Sequence, residues 1–157
     1  MDSRLISSVF ARLLQKADAL GLTIAFDMGT KKMPSFDFDA FKELTDTYKN
    51  ITFVMTHCFF PCNDGQNEER LSFAKKLTGD NFVMDFANID IIGQAEYLKA
   101  LKGIIGAERM LWGTDVPGVL CRFSYKQLID RVKESGIFHE SELPLVMGEN
   151  AKRVYLK

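Results

Sequence analysis

Apolar and polar positions alternate between two rhythms along this chain. Leu5, Ile6, Val9, Phe10, Leu13, Leu14, Ala17 and Leu20 recur at helical spacing and stop at Gly21. "LTIAFD" (22–27) follows as a short, mostly apolar run of strand length. Asp37 is placed to cap a helix carrying Phe38, Phe41, Leu44 and Tyr48, which ends near Asn50. "ITFVMT" (51–56) is the next strand, and "CFFPCNDGQN" reads as a loop from its Pro, Asn, Asp and Gly. A helix over 67–78 leads to a strand in "NFVMDF" (81–86), and one around 94–105 leads to "RMLW" (109–112). A helix near 124–135, Gly136 and a helical "NAKRVYL" close the pattern.

The strands begin at about 22, 51, 81 and 109, so the repeat is about 29 residues, the length of one strand–helix unit. Each strand is a continuous apolar run without clean alternation, as expected where helices cover a parallel sheet. The pattern predicts an α/β fold. No linker or low-complexity segment divides residues 1–157, which read as one domain.

Composition narrows the function classes. Apolar residues make up 46% and charged residues 26% of the 157, the balance of an ordinary soluble protein. A net charge of -1 offers no electrostatic case for nucleic acid or an anionic membrane. No apolar run reaches membrane-spanning length and the opening "MDSRLISSVF" lacks the parts of a signal peptide, so the expected location is cytoplasmic. Cys58, Cys62 and Cys121 are odd in number and do not form an extracellular disulfide pattern.

In parallel α/β proteins chemistry collects where strands end. Those positions hold Asp27, His57, Asp85 and Asp115, three carboxylates and an imidazole in equivalent places of successive units. Such donors suit a divalent metal or a shared proton. Each also has a plainer reading: an Asp at a strand end caps helices and forms turns, and a His beside a strand is often a hydrogen-bonded core residue. Asp85 in particular could simply turn the chain toward "ANID". Cys58 and Cys62 are too far apart for a CxxC motif, and with His57 they make only a loose zinc pattern. His139 sits in polar "FHESELP", and Lys31 and Lys32 are loop charges that could greet an anionic substrate. Gly103 and Gly106 form no phosphate loop.

"IIGAERMLWGTDVP", followed by "MGENAKRVYL", resembles the closing signature of the amidohydrolase-related metal-dependent hydrolases. "ITFVMTHC" resembles their sixth strand and "GLTIAFDMG" their fifth. The resemblance implies the last four strand–helix units of a (β/α)8 TIM barrel, in a family that hydrolyses lactones, amides or esters, or decarboxylates aromatic and unsaturated acids. It makes Asp115 the last-strand carboxylate that contacts metal and takes a proton from bound water. His57 becomes the histidine that polarises substrate or orients water. Asp27 falls where a metal-ligating histidine usually sits, so zinc or manganese would be held by Asp27 and Asp115.

A full barrel of this kind takes about 250 residues, and no HxH pair occurs in the chain. The expectation is therefore a carboxyl-terminal half-barrel with two unpaired edges and one uncovered face of its core. A small-molecule substrate is implied, with a complementary half-barrel or a homodimer completing the site. The alternatives are a catalytically silent dimerising module and a flavodoxin-like open sheet that binds a small anion. No phosphate-cradling glycine loop supports the last.

Overall fold

The computed structural model describes residues 8–30, 32–116 and 123–156; Lys31, Cys121 and the Pro117–Gly118 break lie outside them. Strands β1 (Thr23–Phe26), β2 (Thr52–Met55), β3 (Phe82–Asp85) and β4 (Met110–Leu111) form one sheet in the order β1-β2-β3-β4, every pair parallel. Helices α1 (Ser8–Ala19), α2 (Phe38–Thr47), α3 (Asn67–Lys76), α4 (Ala95–Ile105), α5 (Tyr125–Glu134) and α6 (Asn150–Tyr155) alternate with them or follow. Neighbouring strands in sequence are neighbours in space, as in successive units of a (β/α)8 barrel.

Local chemistry sets the element ends. The Asp37 carboxylate accepts the Ala40 N–H at 2.9 Å and starts α2. Ser124 and Gln127 form a reciprocal capping box at the start of α5. Gly21 takes φ 61°, which lets α1 turn directly into β1.

Strand periodicity divides the sheet into two faces. Phe53, Met55, Phe82, Met84 and Met110 point into the main core, where they meet Leu14, Phe41, Leu44, Leu98 and Leu101 of the helices. Val54, Val83 and Leu111 point the other way, and the expected uncovered face is not bare. Helix α6 lies on it, with Val154 and Ala151 against those three side chains. The Thr23 hydroxyl donates to the Val154 carbonyl at 2.6 Å and ties the last helix to the first strand.

Of the two edges, only the one at β4 differs from expectation. The outer side of β1 has no strand partner among the described residues. Beside β4, the Trp112 N–H donates to the Val146 carbonyl at 3.1 Å. The buried Asn150 amide donates to the carbonyls of Ala107 and Met110 at 2.8 and 2.9 Å. A side chain and a π-helical turn, Leu145–Glu149, thus satisfy the edge that the sequence pattern left open. No described helix is long and apolar enough to cross a membrane.

Candidate functional site

The residues picked out by position do stand at the carboxyl ends of the strands, in three different settings. Asp27 follows β1, is exposed, and accepts the Gly29 N–H at 2.8 Å. That is the turn-forming role; no described hydrogen bond joins it to His57, Asp85 or Asp115.

His57 is buried and inseparable from Asp85. One oxygen of Asp85, Oδ1, accepts the backbone N–H groups of His57 and of Ala87, each at 3.1 Å. The His57 ring meets the Ala87 carbonyl through Nδ1 at 2.9 Å. A carbonyl only accepts, so Nδ1 carries a proton, and Nε2 is the acceptor of that tautomer. The Phe60 ring packs on the imidazole, 4.5 Å between centroids.

The backbone here is unusual. His57, Cys58, Phe59 and Phe60 have φ of 58°, 45°, 65° and 51°, one turn of left-handed chain built without glycine. Left-handed geometry costs about 1–2 kcal/mol per residue and persists only where surroundings over-determine it. The surroundings do so: the Phe60 N–H closes the turn onto the His57 carbonyl at 2.7 Å. The Tyr97 hydroxyl reaches the Cys58 carbonyl at 2.8 Å and Arg70 Nε the Phe59 carbonyl at 3.1 Å. The Cys58 thiol donates to the Asp85 carbonyl at 3.1 Å.

Asp115 is exposed, at φ 55°, four residues beyond β4. Its charge still reaches the centre of the group. Burial pushes the Asp85 carboxyl above the usual range, hydrogen bonds from His57 and Ala87 pull it back, and Asp115 pushes it up further. Burial likewise raises the Tyr97 hydroxyl and the Cys58 thiol, keeping both as donors. Next to β2, the Arg70 guanidinium holds the Asp64 carboxyl well below the usual range through hydrogen bonds at 2.7 and 2.8 Å.

The structure therefore groups His57 with Asp85 directly, Asp115 by charge, and leaves Asp27 apart. Among the described residues, no three His, Cys, Asp or Glu side chains gather closely enough to hold a metal ion. Cys58 is buried and Cys62 exposed, and the loose zinc pattern with His57 forms no such group. His139 is exposed and its N–H donates to Glu142 at 2.8 Å. Between the ends of β3 and β4 lies a cavity of about 20 Å³, lined by Asn88, Trp112, Thr114 and Arg131 among others. It fits one water, and Asn88 Oδ1 beside it is buried without a partner.

Sequence reasoning passed over Arg70 and Tyr97, which look like an ordinary helix charge and an ordinary core aromatic. No local signal marks them, because the carbonyls they satisfy are 11 and 39 residues away in sequence.

Comparison with known proteins agrees with this architecture. No curated protein sequence matches the chain. Among solved structures, a Burkholderia multivorans amidohydrolase with bound zinc superposes with TM-score 0.79 at 16% identity, over 96% of this chain and 58% of that one. A putative 2-pyrone-4,6-dicarboxylic acid hydrolase from Pseudomonas putida superposes at 0.64 with 16% identity, over 92% and 55%. The 5-carboxyvanillate decarboxylase of Sphingomonas paucimobilis gives 0.63 at 12% identity, over 96% and 54%. The chain thus spans little more than half the length of the solved structures it matches, as part of a (β/α)8 barrel. The amidohydrolase family model matches residues 2–157, and the chain belongs to that family.

Proposed function

We propose that this chain carries the His57–Asp115 portion of an amidohydrolase-type site acting on small ring-bearing carboxylic acids, by hydrolysis or decarboxylation. Two of the similar structures, the putative pyrone dicarboxylate hydrolase and the carboxyvanillate decarboxylase, are named for substrates of this kind. The observation that carries the reading is the His57 ring, whose Nδ1 meets the Ala87 carbonyl at 2.9 Å; Nε2 is then the atom proposed to meet substrate or water. Neutral, Nε2 accepts a proton; protonated, it donates to a substrate oxygen. Asp115, exposed beyond β4, two strands along the sheet from β2, is the carboxylate proposed to take a proton from attacking water. In decarboxylation the same group would return a proton to the ring carbon as carbon dioxide leaves.

The described residues do not fit a metal ion by themselves. Zinc or manganese at this site would need donors from outside the described residues in addition to Asp27 and Asp115. The substrate pocket likewise needs further walls, since the strand-end cavity admits only a water. A complementary half-barrel or a second copy is the proposed source of both. The open side of β1 favours this: Leu20 and Leu22 beside it are 58% and 46% exposed.

The test is a panel of pyrone carboxylates and hydroxybenzoates incubated with the chain, alone and with added zinc or manganese, and followed by chromatography of products. Asp115→Asn and His57→Gln should each lower turnover by about 100-fold or more. Turnover that survives both substitutions would exclude the proposed roles. Light-scattering mass across concentration checks the partner: a strictly monomeric and active chain would remove the need for completing walls.

A further inference from the structure

A left-handed turn of bulky residues aims its carbonyls where no i→i+4 partner waits. In the 57–60 turn, the carbonyls of Cys58 and Phe59 are met instead by one donor each from the surrounding helices. Tyr97 Oη of α4 lies 2.8 Å from the first and Arg70 Nε of α3 lies 3.1 Å from the second. Both donors are buried, Tyr97 at 4% and Arg70 at 1% exposure. Arg70 is aimed in turn by both oxygens of Asp64, at 2.7 and 2.8 Å, and by Asn67 Oδ1 at 3.0 Å. Gln94 then joins α3 and the loop to α4 through Asn67 and Asn63, each at 2.9 Å.

We infer that Tyr97 and Arg70 are positioning residues for the His57 imidazole: by pinning the two carbonyls, they lock the left-handed turn that delivers Nδ1 to the Ala87 carbonyl. Neither has a described hydrogen bond to His57, so each acts through the backbone. Were the turn to relax toward right-handed geometry, the Cα–Cβ direction of His57 would swing and Nδ1 would lose Ala87. The inference rests on ring geometry and stands whether or not the catalytic reading above holds.

The chain has 2 histidines, so its imidazole spectrum is simple and exposed His139 serves as internal reference. Long-range proton–nitrogen correlation of the ¹⁵N-labelled chain near about pH 9, where imidazole is ordinarily neutral, reads the tautomer of each ring. In the native chain His57 should be chiefly Nδ1–H. Tyr97→Phe should lower the ratio of Nδ1–H to Nε2–H at His57 about fivefold, the worth of one hydrogen bond, with His139 unmoved. Leu101→Ala, a cavity on the same helix, should weaken the fold without changing that ratio. An unchanged ratio in Tyr97→Phe, or an equal change in Leu101→Ala, overturns the inference. Should Tyr97→Phe fail to fold, Arg70→Lys, which keeps the charge but lacks the Nε donor, decides by the same criterion. A shifted His57 tautomer with undiminished turnover counts against the catalytic reading alone.

Discussion

The inner strands β2 and β3 and the outer strands β1 and β4 all end in polar donor or acceptor side chains but hold them differently. At the ends of the inner pair, His57 and Asp85 are packed, share hydrogen bonds across neighbouring strands, and are held by helices on the far side. At the outer ends, Asp27 and Asp115 are exposed, and among the described residues Asp27 bonds within its own turn. The difference follows from neighbours. A strand flanked on both sides has groups to receive a side chain at its tip, whereas a marginal strand offers solvent. The inner strand ends are thus held in place by their neighbours, and the outer ones are open to solvent.

Stability measurements should expose this contrast. Arg70→Ala strips a buried guanidinium from Phe59, Asp64 and Asn67 at once, and should cost about 3 kcal/mol in urea unfolding. Asp85→Ala leaves the N–H groups of His57 and Ala87 without an acceptor, for about 2 kcal/mol. Asp27→Ala, removing one exposed turn contact, should stay within about 0.5 kcal/mol. If Asp27→Ala proved as damaging as Asp85→Ala, the division into held and open strand ends would fail.

The smallest effects are in pH dependence, and they have opposite signs. Asp85 is raised in the folded chain, so its contribution is fully present below the unfolded carboxylate value and declines as pH rises through the folded one. Asp85→Asn, which keeps an acceptor but removes the charge, should thus gain on the native chain as pH climbs from about 4 toward neutrality. Asp64 is lowered, so the support of its pair with Arg70 is present at neutral pH and lost as pH falls below about 4. Stability curves of Asp64→Asn and Asp85→Asn against pH should accordingly diverge from the native curve in opposite directions.

Much of the scaffold was legible in the sequence because it is written locally. The apolar runs mark β1 to β4, and Asp37, Ser124 and Gly21 stand at real element boundaries. The spacing between units conveyed the parallel order, and the closing motif conveyed the family. The strand-end positions were legible too, but not their partners. "CFFPCNDGQN" reads as an ordinary loop, because a left-handed run of His, Cys and two Phe has no residue signature. It is imposed from Tyr97, Arg70 and Asp85, which are remote in sequence. The cover over the second sheet face was missed for the same reason, since α6 arrives 131 residues after the strand it touches.

That long return has a consequence for synthesis. By residue 111 a growing chain has made β1 to β4, yet Val54, Val83 and Leu111 acquire the cover of Ala151 and Val154 only once those residues have been added. Until those residues leave the ribosome, the growing chain presents a sticky apolar strip to its surroundings. A chain truncated near residue 145 should clump or be captured by chaperones, although it already contains β1 to β4.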